Sequence, residues 1–299
     1  MKHRYLIILA IGALAALLYL PAPGLAASIL GTAANFAVLA GTPAITNLNS
    51  TTITGNVGIS PAASVTGAGP GANAITFTGP PGTYGYDLAN GTALTAKNDL
   101  STAYTALNNM PATQTLTNPE LAGVTLPSGV YAFSGTPAAV LLDGTLSLNA
   151  QGMNNAYWVF QIPFALTTGS ASSVVVTNVG ASNTATYGVF WVVGSQATLG
   201  TTTAFEGNIL AGTTIALGTG ATILNGRALA ETAEVTMDTN TISIVCPNGG
   251  PGYDQGLYYS SYPTTILPVG PSAVPLPATM LLLAPGLTGL AALRKKKII

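Results

Sequence analysis

Glu231, Glu234 and Asp238 fall within eight residues of one another, the nearest this chain comes to the paired acids that cleave glycosidic bonds. They border turns with no basic residue close in sequence, and they fit better as charge that solvates a β edge and discourages end-to-end stacking. The remaining chemical repertoire is thin. The one histidine, His3, stands at the extreme N-terminus, the one cysteine, Cys246, has no internal partner, and neither a Ser/His arrangement nor a metal-ligand cluster can be assembled. No catalytic residue, metal site or cofactor is assigned, and the chain reads as non-enzymatic. What the sequence does repeat is threonine at fixed intervals, whose chemistry is that of a surface: methyls and hydroxyls held in rows.

Those rows come from a stretch, Gln196 to Ile242, that can be written as three copies of itself. Ala197-Thr198-Leu199, Ile215-Ala216-Leu217 and Val235-Thr236-Met237 are separated by steps of 18 and 20 residues. In each, the outer two positions are apolar and face one way, so Thr198, Ala216 and Thr236 face the other. Counting onward in each copy gives a second column, Thr201, Thr219 and Thr239, and a third, Thr203, Ala221 and Thr241. Stacked strands would space these groups ~4.8 Å apart between turns and ~6.6 Å apart along a strand. A second register, Glu206-Gly207-Asn208 against Asn225-Gly226-Arg227, places Glu206, Asn225, Asn208 and Arg227 outward on a bulkier, charged side.

A period near 19 residues means a solenoid, whose turns bury their apolar faces only against one another. Strand signals run along most of the chain, including Phe36 to Ala40, Ala44 to Thr46, Thr52 to Ile59, Gly123 to Phe133, Thr145 to Ala150, Ala156 to Ile162, Ser173 to Val176 and Gly188 to Val193. Residues 61–91, rich in Gly, Pro and Ala, read as an excursion capping one end. Ala96, Leu100, Ala103 or Tyr104, and Leu107 recur at helical spacing, which predicts one helix over about 92–110 with Thr92 as N-cap and Lys97 and Asp99 on its solvated side. The aromatics Tyr131, Phe133, Trp158, Phe160, Phe190 and Trp191 sit inside alternating strands and read as core.

The chain has 299 residues, of which 6% are charged and 48% apolar, a balance that excludes ordinary disorder. Between the basic ends, Lys97 and Arg227 stand against nine acids, a net of −7. Such a body cannot grip a phosphate backbone, which excludes nucleic acid. Lys2-His3-Arg4, an apolar run to Leu20 and small residues to Ala27 predict a signal peptide over 1–27, followed by a body over 28–246 and a Gly/Pro/Ser/Tyr linker over 247–273. Residues 274–299 comprise Val274-Pro275-Leu276-Pro277, an apolar run and Arg294-Lys295-Lys296-Lys297. That tail resembles the PEP-CTERM sorting signal of Gram-negative, exopolysaccharide-producing bacteria. The resemblance implies an exosortase-type processing partner and delivery to the cell surface or matrix. Leu276 stands where the motif carries Glu, leaving a plain C-terminal anchor as the alternative; the membrane is met only through these terminal segments.

The body also resembles the microbial ice-binding (antifreeze) family. The match is carried by Phe36-Ala37-Val38-Leu39-Ala40-Gly41, Thr54-Gly55-Asn56-Val57-Gly58, Leu126-Pro127-Ser128-Gly129-Val130-Tyr131, Trp158 to Ile162, Val189 to Gly200, Phe205 to Ala211 and Asn225 to Ala230. It implies a mainly β fold, a discontinuous right-handed β-helix with one long helix packed alongside, and adsorption to an ice crystal surface through one flat face. The ice-binding residues implied are Thr198, Thr201, Thr203, Ala216, Thr219, Ala221, Thr236, Thr239 and Thr241. A β-solenoid adhesin of the cell surface or exopolysaccharide matrix would use the same ladder and is the competing reading.

Overall fold

The computed structural model describes residues 28–68, 71, 73–135, 137–180, 187–245, 253–255, 257–259 and 266–268. The expected signal peptide, Cys246 and the sorting segment lie outside the described residues. Within them the strands wind into a β-helix of three faces, each a stack of parallel strands.

The first face runs through Gln114–Leu116, Gly129–Phe133, Tyr157–Ile162, Gly188–Val193, the second halves of Ala204–Ala211 and Thr222–Ala230, then Phe36–Ala40, Asn56–Ile59 and Tyr86–Leu88. The N-terminal strand Phe36–Ala40 pairs with Thr222–Ala230, nearly two hundred residues later. The coil is therefore discontinuous, its N-terminal turns stacked beyond its C-terminal ones. Residues 61–91 do end the coil as expected, but as a further ordered turn with strands Ser64–Thr66, Ile75–Phe77 and Tyr86–Leu88.

The central first-face strands are buried on both sides, which is why they read as continuous apolar runs such as Gly188-Val189-Phe190-Trp191-Val192-Val193. Val189, Trp191 and Val193 point into the coil, while Phe190 and Val192 meet Ala96, Leu100, Ala103 and Leu107 of the helix. That helix spans Gly91–Asn108. Asn90, rather than Thr92, caps it, its side chain accepting from Ala93 N. Inside the coil Tyr131, Phe160 and Trp191 occupy one register and stack, with centroids 5.5 and 4.0 Å apart, and Phe205 continues the column. The predicted core aromatics are all buried.

Lys97 and Asp99 are not a solvated face. Lys97 Nζ donates to the carbonyls of Ala230 and Glu231, and Asp99 accepts from Thr32 N and Oγ1 at 2.7 and 2.6 Å. In the second and third turns of the helix, charge is used for docking: Lys97 satisfies carbonyls at the coil edge and Asp99 satisfies the donors of Thr32. Burial lowers the Lys97 pKa to about 8, against the pull of neighbouring Glu231.

Candidate functional site

The second face is a separate seven-stranded sheet ordered Ala139–Leu142, Ala165–Thr168, Ala197–Leu199, Ile215–Leu217, Val235–Met237, Ala44–Asn47 and Ser64–Thr66. Each strand holds only three or four residues and alternates inward apolar with outward small groups. In direct register, Leu141, Thr167, Thr198, Ala216, Thr236, Thr46 and Thr66 form one outward column. The three predicted residues Thr198, Ala216 and Thr236 are its centre, and the break in the coil's sequence order supplies Thr46 and Thr66 from the other end of the chain. The hydroxyls of Thr167, Thr198, Thr236 and Thr46 have no hydrogen-bond partner among the described residues.

Beside that column three consecutive strands, Ala165–Thr168, Ala197–Leu199 and Ile215–Leu217, run into glycine. The amides of Gly169 and Gly218 bond the coil below at Leu142 O and Leu199 O. A Cβ on Gly200 would lie 2.6 Å from Gly169 C and O, and one on Gly218 2.9 Å from Leu199 O. Only glycine allows this close stacking, and it leaves a low strip of exposed peptide next to the threonines. The other flank is taller, carrying Gln196, Thr214 and Glu234. Leu141 and Leu48, exposed by 41% and 56%, add apolar area at the margins.

Past the glycines the chain turns a corner, and here two of the predicted columns dissolve. Thr202 N bonds Thr219 O and Gly220 N bonds Asp238 O, so Thr201, Thr219 and Asp238 align, while Thr239 aligns with Thr202 and Gly220. All three residues of that second set have positive φ. The third copy is one residue shorter at its corner: six residues separate Ala216 from Thr222, but five separate Thr236 from its equivalent, Thr241. Thr241 accordingly pairs with Thr222 and Thr52 on the third face.

Thr203 and Ala221 are fully buried and offer nothing to a surface. Their inward row also contains Ser172, Asn240 and Thr51, and it braces the corner. Thr203 and Thr168 share a hydroxyl hydrogen bond of 2.8 Å, Ser172 donates to Leu142 O, and Asn240 Nδ2 donates to Gly218 O and Ala221 O, both at 2.9 Å. These bonds satisfy the carbonyls a tight turn would otherwise orphan. On the outer side Asp238 accepts from Thr219 Oγ1 at 2.6 Å and from Asn49 Nδ2 at 2.7 Å, and these bonds hold its carboxyl below the usual range. The exposed corner is thereby cross-linked turn to turn.

The third face has its own outward row, Thr145, Ser173, Ala204, Thr222, Thr241, Thr52 and Thr76. It differs in two ways: Thr145 and Ser173 bond each other at 2.8 Å, and the adjacent outward positions include Val175, Glu206 and Leu224, which stand above the row.

Of the four residues predicted on a charged outer side, Asn208, Asn225 and Arg227 are buried, and Glu206 alone stays half-exposed. Arg227 is buried, donating to Ala34 O at 2.9 and 2.6 Å and to Asn208 Oδ1 at 2.7 Å, and pairing with Asp254 at 3.5 Å. Asn208 is buried beneath the same cluster and donates to Tyr253 O at 2.7 Å. The β-bulge at Gly207, φ 98°, turns these side chains under the incoming segment. Glu206, half-buried on the third face and hydrogen-bonded by Tyr253, has its pKa pushed up to about 7, chiefly by desolvation. Part of the expected linker therefore belongs to the body. Glu231, one of the carboxylates weighed for catalysis, lies beside Lys97.

A family model described as Ice-binding-like matches residues 38–243, which covers every strand of the second face. This chain belongs to that family. An ice-binding protein of Nostoc sp. (strain HG1) is 43% identical over 246 residues, 82% of this chain and 84% of the relative. One from Colwellia sp is 35% identical, covering 72% and 82% of the two chains. The crystal structure of an ice-binding protein from the Antarctic ascomycete Antarctomyces psychrotrophicus superposes with a TM-score of 0.62 at 37% identity, covering 73% of this chain and 98% of that one. That solved relative and this chain thus share one fold.

Proposed function

We propose that this protein adsorbs to ice through its second face and adjoining corner, using Thr167, Thr198, Ala216, Thr236, Thr46 and Thr66 with Thr201, Thr219 and, beside them, Thr239. The observation that carries the reading is the uninterrupted outward column of small residues, five of them threonine, whose hydroxyls at four positions have no partner among the described residues. Turns ~4.8 Å apart in a hydrogen-bonded coil hold those groups without the entropic cost of ordering flexible side chains. Methyls exclude liquid water while hydroxyls fix the water that remains, so an ordered layer on the strip can merge with a crystal surface. Adsorbed molecules then force ice to grow as curved fronts between them, which stops growth and recrystallisation. The relatives' names as ice-binding proteins support the ligand, and no step requires a catalytic group.

Thr241, on the third face, and the buried Thr203 and Ala221 are left out of this surface. Export through the N-terminal leader, recognition of residues 274–299 by an exosortase-type enzyme, and display at a Gram-negative cell surface or matrix form part of the same proposal, resting on sequence. The test is adsorption of fluorescently labelled protein to a single-crystal ice hemisphere: bound fluorescence on defined planes is expected. Exclusion from all planes sinks the reading and returns the exopolysaccharide-matrix alternative.

A further inference from the structure

The strands of the second face carry a second outward column beside the threonines. Two residues earlier in each strand the chain returns to the same side of the sheet, which places Ala139, Ala165, Gln196, Thr214, Glu234, Ala44 and Ser64 in register from rung to rung. This flank column runs about 6.6 Å from the first along the strands. Its backbone belongs to the coil's ladder: Leu166 N bonds Gln196 O, Ala197 N bonds Thr214 O and Ile215 N bonds Glu234 O, each at 3.0 Å. The column is therefore as firmly spaced as the threonines beside it. Alanine, serine or threonine fills every position except two, and those two, Gln196 and Glu234, stand on the rungs either side of Thr214. Neither side chain has a hydrogen-bond partner among the described residues.

Both side chains reach well past a threonine's methyl and hydroxyl. To bring this column against a flat crystal, the Gln196 side chain would have to be ordered and the Glu234 carboxyl group stripped of its water. The threonine column asks for neither. We infer that Gln196 and Glu234 are specificity-determining residues of the second face: they hold the flank column off the crystal across the central rungs, so that regular contact along the strands is left to one row. A single row fixes a repeat in one direction, and every crystal plane that contains that repeat can accept it. A second row in contact adds a fixed spacing across the first and leaves fewer planes that match both. The inference rests on the proposed ice-binding reading and names what limits its selectivity.

The test compares the fluorescently labelled full chain with its Gln196→Thr/Glu234→Thr variant on single-crystal ice hemispheres, with thermal hysteresis and melting temperature measured in parallel. Both substitutions are outward and leave the backbone ladder intact, so the melting temperature should hold within a few degrees; Gln196→Ala/Glu234→Ala asks the same question if threonine unsettles either strand. The wild-type chain is expected to light several families of planes sharing one axis, and the variant fewer of them, with hysteresis at or above the wild-type level. An unchanged or wider set of planes in the variant overturns the inference. So does loss of hysteresis in the folded variant, which would make the two residues contacts with the crystal. A wild-type chain excluded from every plane strikes instead at the ice-binding reading on which this one rests.

Discussion

Thr219 donates its hydroxyl to Asp238 at 2.6 Å, so the partner of Thr219 in the next turn is an aspartate and not the threonine one residue later. Asp238 also accepts from Asn49, which ties the last C-terminal turn to the first N-terminal one across the coil's break in sequence order. The exposed corner beside the threonine strip is consequently a short polar ladder rather than a column of free hydroxyls. Asp238→Ala would leave Thr219 and Asn49 without this acceptor and loosen the corner. Thermal hysteresis should fall by a factor of a few while far-UV circular dichroism stays unchanged; an unaltered hysteresis would mean that corner order does not matter to adsorption.

Thr203→Val separates a buried brace from a working surface. The substitution keeps shape but removes hydroxyl bonds to Thr168 and to Gly169 O, leaving buried polar partners unpaired at a cost of about 1–3 kcal/mol. Urea unfolding should shift accordingly, with ice recrystallisation inhibition per folded molecule unchanged. Loss of activity at full stability would return Thr203 to the surface.

Arg227 holds the segment of Tyr253 to Gln255 against the coil, through Asp254. Arg227→Ala leaves Asp254 buried without its cation and Ala34 O without its donor, a loss of about 3–5 kcal/mol by comparison with other broken buried pairs. The measurement is denaturant unfolding, accompanied by limited proteolysis, which should cut near residues 250–260 only in the variant.

Glu206 gives stability a pH dependence with a definite sign. Its folded pKa, about 7, lies above its ordinary value of 4.5 because burial disfavours the carboxylate, so between those values the folded state binds more protons than the unfolded one. Its contribution is fully present below about pH 4.5 and is lost as pH rises through 7. Burial raises Glu231 in the same direction, whereas the Lys97 window lies between 8 and 10.5. Glu206→Gln should therefore flatten, without abolishing, the fall in melting temperature from pH 5 to pH 7.5; parallel curves for the two proteins would contradict the assignment.

Most of the fold was legible because its signals are local. Alternation in Ala197-Thr198-Leu199 and its copies fixes which side chains face out, and the two-sided burial of Tyr157–Ile162 and Gly188–Val193 shows as unbroken apolar runs. The column of Thr198, Ala216 and Thr236 follows from that alternation alone. The corner did not follow, because one residue is missing from the third copy and counting from a strand into a turn carries no register. Thr203 looks like a surface threonine by composition, yet a tight turn needs inward polar groups to satisfy its carbonyls. The burial of Arg227 and Asn208 depends on Ala34 and on Tyr253 and Asp254, partners that local periodicity cannot reveal; the only local hint was the shared Gly207 and Gly226, which mark a bulge. Thr46 and Thr66 join the strip only because the N-terminal turns stack after the C-terminal ones.

The central claim is that the second face, not the equally threonine-rich third, meets ice. Thermal hysteresis of Thr236→Tyr against Thr222→Tyr tests it most directly, since both are outward strand positions in neighbouring sheets and neither change disturbs the core. The account predicts that Thr236→Tyr loses at least nine-tenths of the activity, with the melting temperature held within a few degrees, while Thr222→Tyr retains nearly all of it. Loss of activity in Thr222→Tyr with Thr236→Tyr active would contradict it.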